Sequence, residues 1–315
     1  MQIKNVTLVG ASGHLGGAVL AALVGAGCFR ITVLKREGST SSSSPPSSTD
    51  PSAFRTVTVP DAWAEADLTA ALRGEDAVVA CFSVKGDPPR AHLALASAAA
   101  AAGVARYMPA DWGSVDARSE QARELVPLFS RKEAVRVLLA ELAAKQPSFT
   151  WTSIVCGHFF DWGLREGFLH ADLAARTMDV LDDGERRSSL STLAQVARAV
   201  VAVLREPDAA SNRVLFVQSF CISQNRLLES LERASGAPWT RVETTSAEFV
   251  AKYVALRDAG SVAAIEDLVF ALGVIEGDWE QKGDFAMKLL GLEEEDLDSV
   301  VKKVVDEAEQ ERAAK

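Results

Sequence analysis

A glycine-spaced turn, Gly10-Ala11-Ser12-Gly13-His14-Leu15-Gly16, follows the β-rich run Ile3–Val9 directly and opens a small-residue helical stretch, Leu15–Ala26. Strand, glycine turn and helix in that order start a βαβ unit, and they leave the N–H groups of the helix N-terminus facing an anion. The spacing is G-x-x-G-x-x-G rather than G-x-G-x-x-G, but the mechanics are related. Gly10 permits the tight turn, Gly13 lets the backbone approach a pyrophosphate, and Gly16 lets the helix pack closely on the strand. Ser12, His14 and Leu15 complete this candidate phosphate loop. A tight turn without a ligand is the competing reading, and the strand–turn–helix context disfavours it.

The rhythm that follows extends the unit. Strand-like Ile31–Lys35, Phe54–Val59, Ala77–Phe82, Arg106–Met108 and Thr150–Val155 are separated by helical patterns at Asp67–Leu72, Ala91–Ala102 and Glu120–Lys145, the last interrupted near Pro127. Strands alternating with helices specify an α/β fold, a Rossmann doubly wound parallel sheet with helices on both faces. Beyond Gly157 the pattern loosens into helices at Thr192–Leu204, Gln224–Ser235 and Ala247–Val274, with a strand at Arg213–Val217. A charged tail from Glu293 carries Leu297, Val300, Val301, Val304 and Val305 on one face, a stripe expected to pack on its own domain. The expected organisation is a Rossmann domain over 1–157, with elements of 191–218 returning to it. A smaller, mostly helical C-terminal lobe comprises 158–190 and 219–315. Residues 39–52, mostly Ser, Pro and Thr, are expected as a flexible surface loop.

Composition narrows the partners. The net charge of -10 disfavours a nucleic-acid surface, since no basic cluster offsets it. No apolar run is long and uncharged enough to span a bilayer, and the N-terminus enters a strand with no room for a signal peptide. The four cysteines, Cys28, Cys81, Cys156 and Cys221, are scattered singly, with no metal-ligand spacing. Three sit in or beside apolar runs and are expected as buried free thiols of a reducing, cytoplasmic protein.

The end of the second strand specifies the dinucleotide. An NAD-binding unit usually places a carboxylate there, about 20 residues past the glycine loop, for the ribose hydroxyls. This chain has Lys35-Arg36, whose charges suit a 2′-phosphate, although Glu37 follows. NADPH is the expected cofactor. Cys81-Phe82-Ser83, ending the fourth strand, falls at the sheet edge where such folds bind ligand.

The chemical groups are less legible. A Tyr-x-x-x-Lys pair is absent, because Asp111 and Arg257 stand four residues after Tyr107 and Tyr253. Lys132 and Arg136 share a helix face one turn apart, which by itself reads as a solvated basic face. If buried, a lysine beside another cation has its pKa lowered toward proton-relay range. Asp111, before Trp112-Gly113, reads first as a turn or capping residue. It can alternatively orient the Lys132 helix. Phe159, Phe160, Trp162 and Phe168 form an aromatic cluster that suits either a core or a flat substrate.

Four stretches, Gly10–Gly16, Arg106-Tyr107-Met108-Pro109-Ala110-Asp111-Trp112-Gly113, Leu128–Arg136 and Ser148–Leu164, together resemble the isoflavone-reductase-like, NmrA-like branch of the atypical short-chain dehydrogenases. Trp151–Asp161 and Val217–Cys221 most resemble its fungal aromatic-reductase-like members. The resemblance implies that Lys132 is the catalytic acid/base and borders the nicotinamide. It also implies that Gly157–Phe160, after Cys156, form the pocket over that ring. His158 is a second candidate, as a donor to the substrate oxygen, although a lone histidine after a strand is more often a hydrogen-bonded packing residue. The expected activity is NADPH-dependent reduction of a small, aromatic carbonyl, enone or quinone-methide substrate by a monomer or homodimer. The alternative is a non-catalytic NADP-sensing regulator that docks on a protein partner; it needs the glycine loop but no acid/base.

Overall fold

The computed structural model describes residues 2–38, 50–86, 88–280 and 282–314. The first half supplies β1 (Asn5–Val9), α1 (His14–Ala26), β2 (Arg30–Arg36), β3 (Phe54–Val59), α2 (Glu65–Leu72), β4 (Ala77–Ala80), α3 (Arg90–Ala101), β5 (Arg106–Met108), α4 (Glu120–Leu125), α5 (Pro127–Lys145) and β6 (Thr150–Val155). Pro127 explains the break between α4 and α5. It lacks an N–H and disfavours helix at the residue before it, so Val126 is extended and Pro127 starts the next helix.

After Gly157 come β7 (His158–Phe159), α6 (Phe160–Arg165), β8 (Ala171–Asp172), β9 (Thr177–Leu181), β10 (Arg187–Ser191), α7 (Leu193–Arg205), β11 (Arg213–Phe216), β12 (Phe220–Ser223), α8 (Gln224–Ser235), β13 (Thr240–Thr244), α9 (Ser246–Asp258), α10 (Ala263–Glu276) and α11 (Leu297–Ala313). The C-terminal part is helical as expected, with two small three-stranded sheets that the sequence pattern did not announce: β12-β10-β7 and β13-β9-β8.

The main sheet has seven parallel strands in the order β11-β6-β5-β4-β1-β2-β3. This is the expected Rossmann-type doubly wound arrangement, and its order reverses between β1 and β4. Both strands there are almost wholly buried, as their Val, Leu and Ala side chains dictate. α1 packs on α7, while α3 packs between α2 and α5. Trp279, Ala286, Met287 and Leu290 also join the core around the large sheet.

The lobe has its own core, in which Phe160, Leu164 and Phe220 pack with Leu297, Val301, Val304 and Val305 of α11. The tail stripe therefore packs on its own chain. A third cluster joins Val115, Val126 and Phe129 to Leu268 and Leu272, laying α10 against the α4–α5 region. Residues 39–49 of the expected Ser/Pro loop lie outside the described residues. At its end, Asp50 accepts the Ser52 N–H at 2.8 Å and opens a short 3-10 turn, Pro51–Ala53.

Candidate active site and cofactor cleft

The loops after β1 and β4 meet where the strand order reverses. Gly10 has φ +87°, and a Cβ there would lie 2.6 Å from the Cys81 carbonyl oxygen. At Gly16 a Cβ would lie 2.0 Å from the Gly10 carbonyl oxygen, so only glycine lets α1 start this close to the loop. α1 begins at His14 with extended Gly13 as its N-cap, no side-chain cap and no acid in the first turn. Its leading N–H groups and the positive end of its dipole remain available to an anion.

A cleft of 670 Å³ opens from this loop. Gly10, Ser12 and Gly13 line it from the glycine turn, Lys35 and Arg36 from the end of β2, and Cys81, Phe82 and Ser83 from beyond β4. Lys85 and Arg90 add two cations and Asp61 one carboxylate, so the cleft is locally basic in an acidic protein. This composition and the uncapped helix suit a dinucleotide with a 2′-phosphate.

Aromatic side chains close one wall. Trp63 donates its indole N–H to the Ala91 carbonyl at 3.0 Å and meets Phe82 edge-on, with centroids 6.0 Å apart. Behind Phe82 lies His92, a residue sequence reasoning passed over as part of an alanine-rich helix. His92 is buried; its Nε2 lies 3.1 Å from the Ser83 carbonyl, while no partner reaches Nδ1. Burial holds its pKa at about 4, against the opposing pull of that carbonyl and with a further push from Lys132.

Lys132 is only 9% exposed, so the solvated basic face expected from the bare pattern is instead packed inward. Among the described residues no hydrogen bond or ion pair reaches its Nζ, which stands 5.4 Å from the Phe129 ring centroid. Burial lowers its pKa; the Asp111 charge and Cys156 oppose that, and Arg136 reinforces it. Burial also pushes the Cys156 thiol up to about 12 despite the Lys132 charge.

Arg136, 4% exposed, bonds Asp111 through Nε and Asp116 through Nη1 at 2.7 Å. Asp111 is thus a buried ion-pair partner of the Lys132 helix, not a surface turn or cap, and it also accepts the Ser153 hydroxyl. Burial works against the Asp116 carboxylate, but Arg118 and Arg136 outweigh it and hold its pKa at about 2. Trp112, at φ +37°, fixes this loop by donating to the Ala80 carbonyl at 2.9 Å.

His158 follows β6 as expected but is enclosed in the lobe. Its Nε2 lies 3.4 Å from the Phe270 carbonyl, Phe168 meets its ring edge-on at 5.3 Å, and Gly273 of α10 packs on it. Burial drops its pKa to about 4, partly offset by the Phe270 carbonyl. The aromatic cluster reaches the phosphate loop: Trp162 lies 5.8 Å from the His14 ring and 5.7 Å from Phe168. Phe159 is half-buried in β7, after Cys156 and Gly157.

All four cysteines are free, with Cys156 and Cys221 buried, Cys81 half-buried and Cys28 exposed. Among the described residues Cys221, Asp278 and Glu280 bring donor atoms within 4.8 Å of one another. The Arg187 guanidinium already sits on Glu280 at 3.0 Å.

The fold and cleft define a Rossmann-type dinucleotide-binding architecture. The family model for the NmrA-like family matches residues 2–278, and the chain belongs to that family. The oxidoreductase aprR of Aspergillus flavus is 32% identical over 240 residues, 76% of each chain. The oxidoreductase poxI of Penicillium oxalicum is 29% identical over 310 residues, 96% of this chain and 94% of its own. These relatives place the chain among the oxidoreductases. In fold it is similar to leucoanthocyanidin reductase from Vitis vinifera in a ternary complex, with a TM-score of 0.76 at 16% identity over 96% of this chain and 99% of that one. The same reductase in a binary complex with NADPH gives a TM-score of 0.73 at 16% identity with the same coverage.

Proposed function

We propose that the chain is an NADPH-dependent reductase of a small aromatic carbonyl, enone or quinone-methide compound, with Lys132 as the acid/base. The observation that carries this reading is the Lys132 side chain, packed inward with no acceptor for its ammonium among the described residues, where a fold built for stability alone would place an apolar side chain. The oxidoreductase relatives and the NADPH complex of the fold neighbour support it.

In this reading the glycine loop and the N-terminus of α1 hold the pyrophosphate. Lys35 and Arg36 face the 2′-phosphate, with Cys81, Phe82 and Ser83 along the channel. Lys132, Cys156, Gly157 and Phe159 surround the nicotinamide end. When bound, NADPH supplies the hydride to the electrophilic carbon of the substrate. Lys132 transfers a proton from Nζ to the oxygen that gains charge, so one N–H bond breaks as one O–H bond forms. His158, enclosed by Phe168, Phe270 and Gly273, shapes the lobe rather than donating. Residues 1–157 and 191–218 form the cofactor unit, and 158–190 with 219–315 form the lobe over the substrate, with Trp279–Leu290 packing back on the sheet.

The test pairs NADPH and NADH titrations on the wild type and Arg36→Ala with NADPH oxidation against a panel of aromatic ketones, enones and quinones. Arg36→Ala is expected to weaken NADPH about 10- to 100-fold and leave NADH unchanged, the range for one charged hydrogen-bonding group. Lys132→Ala is expected to bind NADPH normally and turn over at under about a hundredth of the wild-type rate. Normal turnover by Lys132→Ala removes its catalytic role, and equal or absent binding of both cofactors removes the NADPH assignment.

A further inference from the structure

The cluster around Lys132 contains two complementary deficits. The Lys132 side chain is buried and its ammonium has no acceptor among the described residues, while one oxygen of the Asp111 carboxylate, Oδ1, is buried with no donor. The other oxygen, Oδ2, takes both available donors, Arg136 Nε from α5 and Ser153 Oγ from β6. Asp111 is therefore pinned from two elements through a single oxygen. A buried carboxylate oxygen left without a donor is destabilising, and a fold tolerates this where the vacancy serves a ligand or a reacting group.

The charges in the cluster alternate. Asp111, Arg136, Asp116 and Arg118 form a chain of two acids and two arginines, and Glu133 adds a third acid on Arg136 at 3.8 Å, so the Lys132 ammonium completes the balance of charge in the cluster. Arg136 stands one helical turn beyond Lys132 on the same face and draws on the same carboxylate. How much of the Asp111 charge remains for Lys132 is set by how firmly Arg136 holds it. Cys156, just after β6, also acts on Lys132; Glu133 of α5 shares Arg136, and the Lys132 charge in turn acts on His92 in α3.

We propose that Asp111 is a positioning residue for Lys132: anchored through Oδ2 by Arg136 and Ser153, it presents Oδ1 to the ammonium and restores its proton after each turnover. Its role in turnover rests on the reading of Lys132 as proton donor; the coupling itself does not. Once Lys132 has given its proton to the substrate oxygen, the site holds a neutral amine beside a carboxylate. That carboxylate draws a proton from water back onto Nζ. Arg136 weakens the pull enough for the next donation.

The test is a titration of the Lys132 Nζ by NMR in the whole chain, with labelled lysine, the signal assigned by its loss in Lys132→Met. Asp111→Asn removes the attracting charge and is expected to lower the Lys132 midpoint by about one pH unit or more, at least tenfold in proton affinity. Arg136→Met frees the carboxylate and is expected to raise it. Opposite shifts identify electrostatic positioning. A merely structural role predicts that both variants loosen the cluster, admit water and shift the midpoint upward together. That pattern, or no shift in either variant, overturns the proposal. Where a variant does not fold, Ser153→Ala removes one hydrogen bond and no charge. It leaves more of the carboxylate for Lys132, so the midpoint rises; an unchanged or lower value overturns the proposal. The titration needs no substrate. Loss or retention of turnover in Lys132→Ala thus judges the donor assignment separately.

Discussion

Phe82 and His92 lie face to face, with ring centroids 3.8 Å apart and planes within 9° of parallel. One ring lines the cofactor cleft and the other is buried behind it, so the cleft wall is backed by an imidazole that must stay neutral to remain there. His158 meets the same condition in the lobe, and both have pKa values of about 4 in the folded chain against 6.5 for a free histidine.

Stability is therefore expected to fall on mild acidification. Below pH 6.5 the unfolded chain binds a proton at each of these histidines while the folded chain resists until about pH 4. Their contribution is fully present above pH 6.5 and is lost progressively down to about pH 4. Two protons taken up on unfolding correspond to a slope of about 3 kcal/mol per pH unit in that window. Urea denaturation from pH 7.5 to 4.5 measures it, and His158→Gln is expected to remove about half the slope. An unchanged slope in that variant shows that His158 does not carry it.

Gly16→Ala is expected to damage the cofactor site more than the fold. The new methyl would stand 2.0 Å from the Gly10 carbonyl, and backbone bounds it on that side, so the loop must shift. Overpacking of this kind costs about 3 kcal/mol; taken from binding, that is about a hundredfold in NADPH affinity. Isothermal titration beside a urea melt separates the two, and unaltered affinity argues against the loop as the phosphate cradle.

Lys132→Met is expected to raise stability while abolishing turnover. Burial outweighs the attraction of the Asp111 charge at this amine, and an apolar chain of similar length relieves that penalty, an expected gain of roughly 1 kcal/mol. The midpoint of a urea melt reads it. A less stable variant means that the Asp111 charge stabilises the ammonium by more than burial costs it.

Val301→Ala tests the tail. Val301 is fully buried between α11 and the lobe, and removing its methyls is expected to cost roughly 2 kcal/mol. A change under about 0.5 kcal/mol in a thermal or urea melt indicates that α11 is detachable.

The sheet was readable from the sequence because its strands are apolar, long enough to show a pattern and spaced by helices. β3, β5 and β6 begin and end where the pattern puts them. The lobe strands escaped for the opposite reasons. β7 and β8 have two residues each, too few for a period. β10, Arg-Ser-Ser-Leu-Ser, buries three serines that no hydrophobicity pattern marks, since hydrogen bonds such as Ser189 to Gln218 at 2.8 Å make the burial tolerable.

At the site, the glycine loop was legible because its chemistry is local. The Lys132 cluster was not, because its burial is assembled from the β5 loop, α5, β6 and α3, and no spacing records their meeting. Asp111 resembled a turn residue for that reason. His92 left one faint signal, a lone imidazole in the first turn of an alanine-rich helix beside a strand end.

The tail helix also governs the order in which the chain can fold. Arg165 in α6 is bonded to Glu307 in α11, 142 residues apart, and the lobe core draws on both regions. The strands β1 to β6 can pair as soon as residue 155 is made, whereas the lobe lacks one wall until α11 is synthesised. A ribosome-bound chain thus carries a nearly complete cofactor half beside an open apolar lobe. That interval is when the apolar wall of the lobe is most exposed to aggregation.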